Sequence, residues 1–309
     1  MPPRLCALAA IVLWGISFVA TKAALVEISP VTLIFTRFGL GAALLVLILM
    51  LRGEALAPPR GSLASLALLG FVGVFVHQML QAYGLTMTSA MNTGWLIGLI
   101  PIWSAVLSAI FLGERMGTGK LTGLGVGFAG AVLVVTKGKI DALGLPSARG
   151  DFLVLLSTVN WAVYTILGRA ILGRIGASRA TAGAMVLGWL MIAPFFVAEA
   201  GWRGWGALSA AGWGSVLFLG LGCSGLGYLL WYAALARLEA SRVSAFLYLE
   251  PLVTLGAAAV VLGEPIVPTT IGGGFLVLVG VFLVQKPGGD TRHPTDLEAV
   301  GAHPNRPHS

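Results

Sequence analysis

The chain has 309 residues, 57% of them hydrophobic and only 10% charged, with a mean hydropathy of +0.93. A water-soluble domain of that size carries far more charge on its surface, so the composition excludes one and indicates an integral membrane protein. The formal net charge of +7 is scattered over the loops rather than gathered into a patch, which argues against a nucleic-acid partner.

A helix crosses roughly 30 Å of hydrocarbon with about 20 apolar residues. Tracts of that kind run near 5–26, 31–51, 64–84, 92–112, 120–137, 151–171, 179–199, 210–235, 241–262 and 268–285. Strands of a membrane barrel would alternate polar and apolar residues, and these tracts do not. The expected fold is therefore all-α, with ten transmembrane helices.

The first tract, "MPPRLCALAAIVLWG", begins like a signal peptide but has no small-x-small cleavage site, so it reads as an uncleaved helix. Cys6 and Cys223 sit inside apolar tracts and read as small packing residues; no disulfide, metal or cofactor is expected. The segment 286–309, rich in Gly, Pro and His from Pro287 on, reads as a disordered tail.

With the N-terminus in the cytoplasm, the inner loops collect Arg4, Arg52, Arg60, Arg115, Lys120, Arg174, Arg179, Arg237, Arg242 and Lys286. The outer loops collect only Lys137, Lys139, Arg149 and Arg203. This positive-inside bias puts both termini in the cytoplasm. The Arg- and Ala-rich, Lys-poor composition points to a bacterium, and so to its inner (plasma) membrane.

The sequence repeats itself. "WGISFVATKA" at 14–23 matches "WAVYTILGRA" at 161–170, and "IPIWSAVLSAIFLGE" at 100–114 matches "EPLVTLGAAAVVLGE" at 250–264. Gly123 and Gly130 then align with Gly273 and Gly280. The halves are 1–137 and 151–285, joined by a loop at 138–150. Five helices per half is an odd number, so the second half enters the bilayer from the opposite side. Such inverted repeats suit alternating access, with the substrate site near the midplane between the halves.

These motifs resemble the drug/metabolite transporter superfamily, in particular its ten-span EamA-type members. The residues that carry the resemblance are Trp14-Gly15 with Phe18 and Lys22, Arg37 within "SPVTLIFTRF", and "AYGLTMTSAMNTGWLIGLIPIWSAVLSAIFLGER" at 82–115. The second half repeats them as "WAVYTILGR" and "YAALARLEASRVSAFLYLEPLVTLGAAAVVLGE". The resemblance covers residues 5–285 and implies ten helices and export of small metabolites such as amino acids. Asn92, Trp95, His77, Gln78 and Gln81 depart from the general family pattern and indicate a specialised cavity. The aromatic amino-acid exporters are the subgroup to compare first.

Polar side chains inside a span normally face the bundle interior or water. At about 100° per residue, His77, Gln81 and Gln78 fall near 0°, 40° and 100° on one face. Gly70, Gly73 and Val74 extend that face toward the start of the helix. The stripe reads either as a cavity wall that hydrogen-bonds a substrate or as interhelical glue. His77 has three possible roles: a substrate hydrogen bond, a structural one, or proton coupling.

At an offset of 150, Gln78 aligns with Tyr228 and Gln81 with Trp231. Ser224, Tyr228, Trp231 and Tyr232 then form an aromatic stripe opposite the amides, which suits an amphipathic or aromatic substrate. Trp14 with Ser17, and Trp161 with Tyr164, lie near the midpoints of their spans and read as cavity residues or as packing between the halves. Trp202, Trp205 and Trp213 flank an outer loop and read as an interfacial belt. Trp95 and Tyr248 complete the candidate substrate-binding set.

Pro101 and Pro251 are expected mid-span, each freeing a carbonyl near Ile97 or Leu247, as a static kink or a hinge. Glu250 is the most deeply placed acid. It reads as a coupling group, as the partner of a base such as Arg37, or as a group in water. Arg37 itself sits near a span end, where it can snorkel or pair.

The sequence thus points to a transporter that exports small amphipathic metabolites, foremost amino acids with aromatic or apolar side chains; it leaves the oligomeric state open, with a monomer favoured. A multidrug or cation exporter is the alternative within transport, resting on Glu250 alone. A polytopic membrane enzyme is the remote alternative, since a single intramembrane histidine without clustered acids offers little catalytic chemistry. No G-x-x-x-x-G-K-[ST] loop is present to bind ATP.

Overall fold

The computed structural model describes residues 1–87, 96–136, 138–139, 149–262 and 268–286. Asn92 and Trp95, the 140–148 part of the connecting loop, Glu264 and the tail from Pro287 lie outside these residues, as do the side chains of Phe18 and Lys22.

Helix α1 is Pro3–Leu25 and α2 is Pro30–Leu51. Both begin on proline, whose missing N–H is harmless in a first turn. Ser29 caps α2 by accepting from the Thr32 N–H at 3.2 Å. Helix α3, Leu63–Met87, widens into a π-helix over Phe71–Val76. Helix α4 is Ile100–Leu112, closed by Gly113 at φ 65°, and α5 is Thr118–Thr136. Helices α6, Arg149–Ile175, and α7, Ala177–Ala198, are followed by a 3-10 segment, Gly201–Ala207. Helix α8, Ala210–Leu235, is again π-helical over Phe218–Gly227. Helix α9 joins Ala240–Ala245, a 3-10 turn Phe246–Leu249 and Glu250–Leu262, and α10 is Pro268–Gln285. No strand occurs among the described residues. Among the described residues six helices, α1, α2, α3, α6, α7 and α8, are long and apolar enough to cross a membrane.

The prolines differ from expectation. Pro101 falls in the first turn of α4, and Pro251 is the second residue of the Glu250–Leu262 segment, so neither interrupts an α-helix. The backbone tightens just before each one: Leu99 N–H bonds to Leu96 O at 3.0 Å, and a 3-10 turn precedes Glu250. The missing proline donor is thereby absorbed at a restart of the helix rather than at a kink.

Polar contacts tie the loops together at two ends. At one, the Glu27 carboxylate accepts from the Ser209 N–H (2.6 Å) and hydroxyl (2.8 Å), while Trp205 Nε1 donates to Thr36 Oγ1 at 2.8 Å. At the other, Arg4 donates to the Gln285 carbonyl at 3.2 Å and Gln285 Nε2 to the Arg242 carbonyl at 2.8 Å. There Glu114, placed just after the left-handed turn at Gly113, accepts from Ala240 N–H (2.6 Å), Ser241 N–H (3.3 Å) and the Ser241 hydroxyl. It supplies the anion that the first turn of α9 lacks in its own sequence. Lys120 Nζ lies 2.7 Å from Glu239, which also holds Arg242 at 2.7 Å. This clasp joins α4 and α5 to α9.

Helices α5 and α10 pack along a glycine seam. A Cβ at Gly123 would lie 2.8 Å from the Gly280 carbonyl oxygen, and one at Gly130 would lie 2.7 Å from that of Gly273. The contacts are reciprocal and the helices antiparallel. Small residues let the backbones approach where lipid offers no hydrophobic drive between helices.

Candidate substrate site

A cavity lies among α1, α2, α3, α6, α8, α9 and the start of α4. On α1 its lining runs from Trp14 to Leu25, the second half of the helix; on α2 it runs from Leu33 to Arg37, the first half. The lining therefore reaches toward the Glu27–Ser209 end, and the Glu114 clasp lies at the opposite end.

The inner wall is aromatic. Trp14 and Trp161 meet edge to face with centroids 5.2 Å apart, and Tyr228 lies 5.6 Å from each. Each such pair adds about 0.5–1.5 kcal/mol beyond area burial. The polar wall is His77, Gln78 and Gln81. His77 Nδ1 donates to the Ser157 carbonyl at 3.1 Å, which requires the proton on that nitrogen, and its ring packs 4.7 Å from Trp161. Gln78 Nε2 donates to the Tyr228 hydroxyl at 3.2 Å, and that hydroxyl donates to the Gly73 carbonyl at 3.3 Å. The Ser17 hydroxyl is satisfied by its own helix through the Trp14 carbonyl at 2.6 Å. Gln81 lines the cavity and is half-buried.

The π-helical turns serve this site. A wider turn breaks the i→i+4 ladder and makes carbonyls available to side chains. In α3, the Val72 carbonyl accepts from Asn160 Nδ2 at 2.7 Å and that of Gly73 from Tyr228. In α8, the Cys223 carbonyl accepts from Trp14 Nε1 at 3.0 Å. The indole N–H of Trp161 is buried with no hydrogen-bond partner among the described residues.

The expected stripe on α3 is corrected by the same feature. Gly70 and Val74 pack against Gly188 of α7, and Gly73 against the Tyr164 ring. A constant step of about 100° per residue fails across a π tract, so Gly70 and Val74 turn to α7, while Gly73 stays on the α6 side that His77 also meets.

Of the other candidates, Arg37 and Glu250 line the cavity, whereas Tyr164, Trp231 and Tyr248 do not. Tyr164 stacks on Tyr232 at 5.4 Å, and Trp231 packs behind Trp14 at 5.3 Å. Tyr248 is fully buried elsewhere, its ring against Gly127 and its hydroxyl on the Leu124 carbonyl at 3.1 Å. The expected Arg37–Glu250 ion pair is not formed; Arg37 Nε donates instead to Ser224 Oγ at 3.0 Å, and the guanidinium lies over the Phe38 ring. Nor does Arg37 snorkel: it is only 8% exposed.

Thr21, Leu33, Ile34 and Ile100 line the cavity without having been singled out by sequence. Leu33, Ile34 and Arg37 share one helical face of α2, a spacing that could have flagged the wall. Ile97 and Leu247, the positions one turn before the two prolines, also line it.

The EamA-like transporter family model matches residues 2–136 and 148–285. An uncharacterized transporter of Archaeoglobus fulgidus is 34% identical over 273 residues, 88% of this chain and 95% of the relative. The "Probable terminal-alkyne amino-acid exporter" of Streptantibioticus cattleyicolor is 32% identical, covering 74% of this chain and 75% of its own. Among the solved structures that match, one crystal structure has a TM-score of 0.77 at 20% identity, over 92% of this chain and 96% of that one. The chain is thus a multi-pass membrane transporter. It belongs to the EamA-like transporter family, within the drug/metabolite transporter superfamily.

Proposed function

We propose that the chain exports small amphipathic metabolites, amino acids with aromatic or apolar side chains above all. The observation that carries this reading is the cavity's composition: an aromatic wall of Trp14, Trp161 and Tyr228 beside the polar groups of His77, Gln78 and Gln81. Rings stack on the first and the polar set orients the rest. The naming of one relative as an amino-acid exporter agrees with it.

Transport proceeds in this reading by alternating access between two inverted five-helix repeats, residues 1–137 and 151–285. Several contacts support it. In a two-fold pair, equivalent residues near the axis meet and contacts elsewhere come in reciprocal sets. Trp14 touches Trp161, Gln78 bonds Tyr228, and the glycine seam pairs Gly123 with Gly280 and Gly130 with Gly273. The two blocks matched by the family model fall on the same halves. With ten spans and both termini in the cytoplasm of a bacterial inner membrane, the Glu114 clasp closes the cytoplasmic end and the cavity faces outward. Pro101 and Pro251, at helix restarts, are the hinges of this reading.

The test is counterflow of radiolabelled L-phenylalanine and L-leucine in proteoliposomes. Accumulation above empty vesicles is expected; its absence for all twenty amino acids would overturn the substrate reading. Glu250 in the cavity favours a second reading, export of cationic drugs, and counterflow of a hydrophobic cation without amino-acid flux would select it.

A further inference from the structure

We propose that Arg37 and Glu250 are the two poles of a zwitterion site, binding the carboxylate and the ammonium group of one neutral α-amino acid. The proposal rests on the amino-acid reading above and narrows it to ligands that carry both charges. Arg37 and Glu250 are 8% and 7% exposed, and both line the cavity that also holds Trp14 and Trp161. A lone charge held among apolar helices is costly and is ordinarily paired or hydrated.

These two are not paired with each other. Arg37 uses only Nε, on Ser224, which fixes the guanidinium plane and leaves the terminal nitrogens with no protein acceptor among the described residues. The Glu250 carboxylate has no hydrogen-bond or ion-pair partner among the described residues either. The cavity therefore presents four N–H donors of a fork suited to carboxylate and, separately, a free carboxylate suited to ammonium. An α-amino acid carries those two groups on one carbon, so a single ligand satisfies both, while the side chain remains for the aromatic wall. An anion or a cation alone leaves one protein charge without a partner, which is how a site rejects it.

The test uses full-length protein and phenylalanine analogues: 3-phenylpropionate, which lacks the ammonium group, and 2-phenylethylamine, which lacks the carboxylate. Quenching of intrinsic tryptophan fluorescence in detergent and competition for L-phenylalanine counterflow are both read. Wild type is expected to bind L-phenylalanine at least about tenfold more tightly than either analogue. Glu250→Gln should weaken phenylalanine and close the gap to 3-phenylpropionate. Arg37→Gln should weaken phenylalanine and close the gap to 2-phenylethylamine, with Arg37→Lys restoring part of the preference. Monodisperse elution of each variant guards against misfolding, and the change in analogue ranking is a readout that general destabilisation does not produce. Phenylalanine transport by wild type with equal competition from both analogues, or with both variants unchanged in ranking, overturns the proposal and leaves the transport reading standing. Failure of wild type to bind or move any amino acid overturns both.

Discussion

Gln78 and Tyr228 stand 150 positions apart and are joined by a 3.2 Å hydrogen bond, with the tyrosine hydroxyl in turn donating to the Gly73 carbonyl. The relay links α3 to α8 at the cavity wall. Tyr228→Phe removes both bonds while keeping the ring. Buried hydrogen bonds are worth about 1 kcal/mol, and in membrane bundles often somewhat less. Tyr228→Phe should lower unfolding stability in detergent by about 1 kcal/mol, and Gln78→Ala combined with it should cost less than the two singly. Strict additivity in that double-mutant cycle would show that the bond carries no coupling.

The glycine seam predicts a sharp contrast. A methyl at Gly130 would lie 2.6 Å from the Val277 nitrogen, whereas one at Gly125 meets nothing within 4 Å. Gly130→Ala should destabilise by about 1–3 kcal/mol through forced separation of α5 and α10. Gly125→Ala on the same helix should leave the thermal midpoint unchanged or slightly raised, since alanine is the better helix former. Equal midpoints for the two variants would dispose of the seam.

The clasp at Glu114 holds the start of α9 through charge-assisted hydrogen bonds, each worth about 1.5–3 kcal/mol. Glu114→Gln should loosen that end. A cysteine at the buried Ser244 should then react with maleimide several-fold faster than in the Glu114 parent. An unchanged rate would show that other contacts hold the end shut.

The two cavity tryptophans should respond differently to phenylalanine. Trp14→Phe leaves the Cys223 carbonyl without its indole partner and should cost about 1–3 kcal/mol. Trp161→Phe removes an N–H that has no partner among the described residues and loses only ring area, so its cost should be smaller. Chemical denaturation of the two variants decides the order.

Orientation can be tested at two exposed glycines. Cysteine at Gly117 should label only from the cytoplasmic side and cysteine at Gly206 only from outside; the opposite pattern would invert the topology.

Helices were legible in the sequence because a membrane span leaves a long apolar run that no packing detail can hide. The reading of two repeats rests on the sequence's punctuation, the Trp, Pro and Gly positions that recur at offsets of 147 to 150. Gln78 and Tyr228 could even be aligned before their contact was known. For Arg37, nearness to a span end suggests snorkelling or pairing, and only the tertiary position of Ser224 shows which group it bonds. Tyr248 was misread because aromatic identity does not reveal which side of α9 faces α5. The phase of α3 upstream of His77 was misread because composition carries no mark of a π-turn.

That last feature has a genetic dimension. A π-turn is what one additional residue in an α-helix produces, so each wide turn is equivalent to an insertion tolerated within a span. Deleting one residue from Phe71–Val76 together with the wide turn would leave both flanks in phase, whereas winding the same residues as ordinary α-helix would swing one end of α3 against the other by about 100°. Either Gly70 would leave Gly188, or His77 and Gln78 would turn away from Ser157 and Tyr228. The wide turn thus lets one continuous rod keep packing at one end and recognition at the other, and an evenly wound α3 of the same length could preserve only one of them.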